Sequence, residues 1–92
     1  MTTETVPVGN VLFGGGRRFA LIAGPCVIEN DDHPFFMAER IRDISAALGI
    51  PYLFKASFDK ANRTSIDGFR GPGLEHGLAI LREVRKRFSL PV

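Results

Sequence analysis

The stretch FALIAGPCVIENDDHPFFMAERIRDISAALGIPYLFKAS, residues 19–57, decides the fold. Its opening run, Phe19-Ala-Leu-Ile-Ala23, is unbroken apolar sequence and predicts a strand buried on both faces, which Gly24-Pro25 ends. Between Asn30 and Gly49 the period lengthens: Met37, Ile41, Ile44 and Leu48 recur at steps of four, three and four, the spacing of one helical face. Asp31 and Asp32 are capping candidates ahead of that helix, Pro34 suits its first turn and Gly49 its end. Pro51-Tyr-Leu-Phe54 then starts a second strand. Strand, helix, strand in this order closes almost always as a right-handed parallel crossover, so the fold class is α/β.

Upstream, Val6-Pro-Val8 and Val11-Leu-Phe13 flank Gly9-Asn10, a pair that tolerates positive φ and suits a two-residue hairpin turn. Gly14-Gly-Gly-Arg-Arg18 breaks the pattern before the first long strand. Downstream, after Gly71-Pro-Gly73, a second helix carries Leu74, Leu78, Leu81, Val84 and Phe88 on one face, with Arg82, Arg85, Lys86 and Arg87 mostly on the other. Ser89-Leu-Pro-Val92 reads as the lead-in to a third strand. Two parallel strands and two helices alone would leave apolar sheet edges open, so the chain is expected to be the front part of a larger α/β protein, with no domain boundary inside it.

The 92 residues suffice for one small domain, and 45% apolar content is ordinary for a globular chain. Lys and Arg exceed Asp and Glu by only two (12 against 10), an imbalance that fits anionic small molecules as well as it fits nucleic acid. A lone cysteine excludes an internal disulfide framework and fits a reducing compartment; the polar start Met1-Thr-Thr-Glu-Thr5 has no apolar region behind it. No apolar run approaches the ~18 residues of a membrane span. A cytoplasmic protein without membrane or nucleic-acid partners is the expectation.

In parallel α/β folds ligands gather at the carboxyl ends of strands, and two informative loops fall there. One is Ala23-Gly-Pro-Cys-Val-Ile-Glu29. The other, Lys55-Ala-Ser-Phe-Asp-Lys-Ala-Asn-Arg-Thr-Ser65, gathers lysines, an arginine, an asparagine and hydroxyls behind an apolar strand, as a phosphorylated sugar would require. Adjacent strands lie about 4.8 Å apart, so Cys26 and Lys55 are expected to border one pocket. Strand alternation directs Lys55 toward the sheet interior, where an ammonium calls for an anion. Asp59 reads as an orienting partner for Lys60 or Arg63; Arg63 suits two-point contact with a phosphate, and Asn62, Thr64 and Ser65 suit hydroxyls or phosphate oxygens.

The bland readings are a solvated basic turn for this loop and a small buried side chain for Cys26. One thiolate suits a soft or borderline divalent ion but makes no site alone. His33 and His76 read as solvated or capping residues. Gly14-Gly-Gly16 precedes a strand and lacks dinucleotide-loop spacing, and Gly71-Pro-Gly73 lacks a phosphate-loop lysine, so both read as turns.

From Phe19 onward, and above all in Gly49-Ile-Pro-Tyr-Leu-Phe-Lys-Ala-Ser-Phe-Asp-Lys-Ala-Asn-Arg-Thr-Ser65 and Phe69-Arg-Gly-Pro-Gly-Leu-Glu75, the chain resembles the 3-deoxy-D-manno-octulosonate 8-phosphate synthase family. The resemblance implies a (β/α)8 barrel preceded by a hairpin, with residues 1–18 as hairpin and connector and 19–92 as the first two β/α units of an incomplete barrel. It implies an enzyme that condenses phosphoenolpyruvate with D-arabinose 5-phosphate in lipopolysaccharide biosynthesis. Lys55, Ser57 and Lys60 would contact phosphoenolpyruvate, and Asn62, Arg63 and Thr64 the pentose phosphate, with Lys60 and Asn62 as candidates for substrate positioning. Thr64 stands where the family usually has serine, keeping the hydroxyl.

Cys26 marks the metal-dependent branch of that family, in which it joins a histidine, a glutamate and an aspartate from later strands to hold a divalent ion; which metal is left open. The 92 residues lack those partners, so by themselves they are expected to be inactive, and the whole protein to be a homo-oligomer. Two alternatives stand beside this reading. The related 3-deoxy-arabino-heptulosonate 7-phosphate synthases share the Gly-Pro-Cys turn but carry Lys-Pro-Arg-Thr where this chain has Ala61-Asn-Arg-Thr64; the amide of Asn62 favours the longer sugar, whereas Thr64 leans the other way. A non-catalytic anion- or nucleic-acid-binding module is the third, resting on the basic second helix, which no aromatic platform accompanies.

Overall fold

The computed structural model describes residues 4–16, 19–59 and 71–92. The elements run β1 (Thr5–Val8), β2 (Val11–Gly14), β3 (Leu21–Ala23), α1 (His33–Leu48), β4 (Tyr52–Phe54) and α2 (Leu74–Phe88). β1 and β2 pair antiparallel about Gly9-Asn10, with Val8 opposite Val11 and Thr5 opposite Gly14. The hairpin is the expected one. β3 and β4 pair parallel, Leu21 with Tyr52 and Ala23 with Phe54, joined through α1. The strand–helix–strand unit read from residues 19–57 is therefore present. The described residues form an α/β unit of two small sheets and two helices.

Residues 89–92, the expected lead-in to a third strand, form no strand among the described residues but run beside β4. The Pro91 carbonyl accepts the Phe54 amide at 2.9 Å, on the edge of β4 away from β3, and Leu90 is buried. Gly9, in the hairpin turn, packs near Pro91, so the hairpin lies by the amino ends of the parallel strands.

Helix α1 starts and stops for local reasons. The Asn30 side chain accepts the Asp32 and His33 amides at 2.9 and 2.8 Å, Pro34 occupies the first turn, and Gly49 closes the helix in the left-handed region at φ 69°. Asp31 and Asp32 were the expected caps; neither caps it, because Asn30 sits at the right distance to take both amides. In α2, Glu75 lies in the first turn and Arg85, Lys86 and Arg87 in the last, each complementing the helix dipole.

The core joins Ile28, Ala38, Tyr52, Phe54, Ile80, Val84 and Leu90 between the sheet and the helices. It corrects the expected faces. In α1 the inward residues are Pro34, Ala38 and Ser45 beside partly buried Ile41, while Ile44 and Leu48 are 56% and 64% exposed. Small side chains let α1 approach the sheet closely, and Ser45 can be buried because its hydroxyl donates to the Ile41 carbonyl at 2.8 Å. In α2 the inward residues are Gly77, Ile80 and Val84, with Leu81 and Phe88 partly buried and Leu74 and Leu78 exposed.

β3 departs from its expected burial on two faces: Leu21 and Ala23 pack on the core, whereas Ile22, which alternation turns to the other face, is 55% exposed, and Phe19 ahead of the strand is 69% exposed. The helices are clasped reciprocally. Arg87 of α2 lies 4.3 Å from the ring centre of Phe35, and Arg42 of α1 lies 5.0 Å from that of Phe88.

Candidate functional site

The carboxyl ends of β3 and β4 bring the two informative loops together through their backbones. The Lys55 amide donates to the Ala23 carbonyl at 3.1 Å, and the Ile28 amide donates to the Ser57 carbonyl at 3.0 Å. The turn carrying Cys26 is thus bonded to the Lys55 strand on both sides of the cysteine. Gly24 is required between these bonds, because a Cβ there would overlap the carbonyl oxygen of Lys55. Pro25, Val27 and Ile28 are buried and Cys26 is exposed, which sets aside the reading of Cys26 as a small core side chain.

Lys55 is exposed, and its Nζ lies 3.2 Å from the Ser57 hydroxyl two residues on, on the same side of the chain. Sequence alternation directed this lysine toward the sheet interior. The side chain is exposed among the described residues, so the ammonium incurs no burial cost. Lys55 and Ser57 together present donors to an incoming anion.

Lys60, Asn62, Arg63 and Thr64 lie outside the described residues. The described flanks of their segment are held together. The Phe58 carbonyl accepts the Gly73 amide at 3.0 Å, and both Gly71 and Gly77 approach Phe58 so closely that a Cβ on either would overlap it. A second tie joins the loop after β3 to α2, where His76 Nε2 and an Asp31 carboxylate oxygen are 2.7 Å apart on the surface. His33 is half-buried, and its Nδ1 has no hydrogen-bond partner among the described residues.

Sequence reading missed three of these devices: the Tyr52 hydroxyl, which donates to the Ala23 carbonyl at 2.8 Å, the notch at Gly77, and the Asp31–His76 pair. A tyrosine hydroxyl in an otherwise apolar strand, and a glycine inside a helical pattern, were the signals available. Among the described residues no three His, Cys, Asp or Glu side chains converge as a metal would require, so Cys26 by itself does not make a metal site here.

The profile of the DAHP synthetase I family matches residues 2–92. The chain belongs to the DAHP synthetase I family. The similarity to individual curated proteins runs nearly end to end along the chain. It is 57% identical over 91 residues to the 2-dehydro-3-deoxyphosphooctonate aldolase of Desulfatibacillum aliphaticivorans, covering 98% of this chain and 33% of that protein. It is 54% identical over 90 residues to the aldolase of that name from Geobacter metallireducens, with 98% and 33% covered. The aldolase of Fusobacterium nucleatum is 54% identical over 87 residues, with 95% and 31% covered. The chain therefore spans about a third of the length of the curated relatives it matches. Among the described residues of this family member, no helix is long and apolar enough to cross a membrane.

Proposed function

We propose that this chain supplies the amino-terminal part of a 2-dehydro-3-deoxyphosphooctonate aldolase, which joins phosphoenolpyruvate, D-arabinose 5-phosphate and water into 3-deoxy-D-manno-octulosonate 8-phosphate and inorganic phosphate. The observation that carries the reading is identity as high as 57% across 98% of the chain to proteins bearing that name. The architecture proposed for the whole protein is a (β/α)8 barrel, with β3–α1 and β4–α2 as its first two units, in a cytoplasmic homo-oligomer. The parallel pairing of β3 with β4 and the bond from Phe54 to Pro91 support this architecture.

On this reading Lys55, Ser57 and Lys60 hold phosphoenolpyruvate, their positive charge and hydroxyl meeting its phosphate and carboxylate. Asn62, Arg63 and Thr64 hold arabinose 5-phosphate, the guanidinium gripping the phosphate and the amide and hydroxyl its sugar oxygens. These two groups orient the acceptor carbonyl toward the enol carbon, and proximity supplies much of the rate. Cys26, exposed at the mouth of the same site, is proposed as one ligand of a divalent ion completed by residues outside those described. Such an ion would polarise an oxygen or activate water.

The family description names a heptulosonate-forming enzyme, which keeps a second reading in view: condensation with erythrose 4-phosphate. Phosphate release from phosphoenolpyruvate, measured with each sugar phosphate on a protein of the relatives' length, separates the two. Faster release with arabinose 5-phosphate is the expected result, and preference for erythrose 4-phosphate overturns it. The nucleic-acid module is disfavoured because Arg87 is engaged by Phe35 and by Glu83 at 3.6 Å, leaving a smaller basic face on α2.

A further inference from the structure

Tyr52 is the only tyrosine of the chain, and Cys26 the only cysteine. Tyr52 is 4% exposed among Ile28, Phe54, Ile80 and Val84, where a phenylalanine ring would pack without having to bury a hydroxyl. Among the described residues the hydroxyl is satisfied by one group, the Ala23 carbonyl at 2.8 Å. We propose that Tyr52 is a positioning residue: its hydroxyl, reaching out of the core to the last carbonyl of β3, sets where the Gly24-Pro25-Cys26 turn stands against Lys55.

The physical chain is short. The Ala23 oxygen takes the Lys55 amide in the plane of the sheet and the Tyr52 hydroxyl from the core side. One donor fixes the separation of the strands, and the second fixes the tilt of the carbonyl. Because the peptide is planar, that tilt also orients Gly24, which rests directly on the Lys55 carbonyl. Pro25, buried and locked in φ, passes the orientation to Cys26, and the Ile28–Ser57 bond anchors the far side of the turn. Tyr52 touches no proposed substrate group and acts through Ala23.

This inference rests on the reading that Cys26 and Lys55 serve one site, and its test keeps the two separable. Tyr52→Phe deletes only the hydroxyl; Ile80→Val trims the same core elsewhere. Alkylation of Cys26 by iodoacetamide under native conditions, with thermal midpoints for both variants, reads one thiol. Tyr52→Phe is expected to raise the rate about fivefold, the scale of one hydrogen bond, while Ile80→Val, also destabilised, stays within about twofold of the parent. An unchanged rate in Tyr52→Phe, or equal changes in both variants, overturns the positioning role.

In a protein of the relatives' length, Tyr52→Phe is further expected to raise KM for phosphoenolpyruvate severalfold where Ile80→Val does not. If the parent condenses neither sugar phosphate while the Cys26 effect persists, the proposed function fails and the positioning role stands. Turnover indifferent to Tyr52→Phe overturns the role while leaving the function intact.

Discussion

Gly77, in the first turn of α2, lies directly against Phe58, so that no Cβ fits between them. Phe58 in turn gives its carbonyl to the Gly73 amide at 3.0 Å. One residue behind the Lys55–Ser57 donors is therefore seated in a notch of the second helix and bonded to its start. The notch is what registers the proposed phosphate-binding strand on α2.

Gly77→Ala tests this contact. In an unobstructed helix the change stabilises by about 1 kcal/mol, since glycine is the poorer helix former. Here the overlap with Phe58 is expected to reverse the sign and cost about 1–3 kcal/mol, the range for overpacking a close contact. Urea unfolding of both proteins measures it, and a gain in stability would show that the notch is not closed.

The start of α1 allows a sharper contrast. Asn30→Ala removes the acceptor of two amides and is expected to cost about 1 kcal/mol, whereas Asp32→Ala, which loses no cap bond, should stay within about 0.5 kcal/mol. Equal losses at the two positions would contradict the capping geometry.

Burial pushes the Tyr52 phenol up to about 12 from its ordinary value of 10. The folded state thus keeps its proton at pH values where the unfolded chain releases it. Stability from this difference is complete below pH 10 and is lost as pH rises from 10 through about 12. Because the chain has a single tyrosine and no tryptophan, the ultraviolet absorbance of tyrosinate reports this group alone. Tyr52→Phe should flatten the stability profile in that window. A native titration midpoint near 10 would place the phenol in water.

A protein of the relatives' length is expected to lose activity on chelation and regain it with a divalent ion. Cys26→Ala should weaken the ion's affinity at least about tenfold, the scale on which even groups supporting a metal ligand act. Undiminished turnover after metal removal, verified by elemental analysis, would remove Cys26 from the proposed ligand set.

Asn62→Ala separates the two proposed substrates. Losing an amide that pairs with a sugar oxygen is expected to raise KM for arabinose 5-phosphate by about five- to tenfold, with KM for phosphoenolpyruvate nearly unchanged. Parallel rises in both constants would end the division of labour assigned to the loop.

Much of the fold was legible in local sequence. The hairpin at Gly9-Asn10, the end of α1 at Gly49 and the order strand–helix–strand each depend on residues close together in the chain. The helical faces were less legible. A count of large apolar side chains selected Ile44 and Leu48, whereas burial went to Ala38 and Ser45. Close packing of a helix on a sheet favours small side chains, and hydrophobic periodicity does not register them.

The sequence alone determined that Cys26 and Lys55 follow successive strands, and it is the source of the proposal that the Lys55 loop binds anions. It also carried the family resemblance. Only the tertiary structure decided how those loops are held: the shared Ala23 carbonyl, the bare Gly24 against Lys55, Phe58 in its notch at Gly77, and Asp31 beside His76. These ties join residues as far apart as 45 positions along the chain. Local propensity specifies the dihedrals of each segment, but a hydrogen bond or a forbidden Cβ between distant segments exists only once packing has brought them into contact.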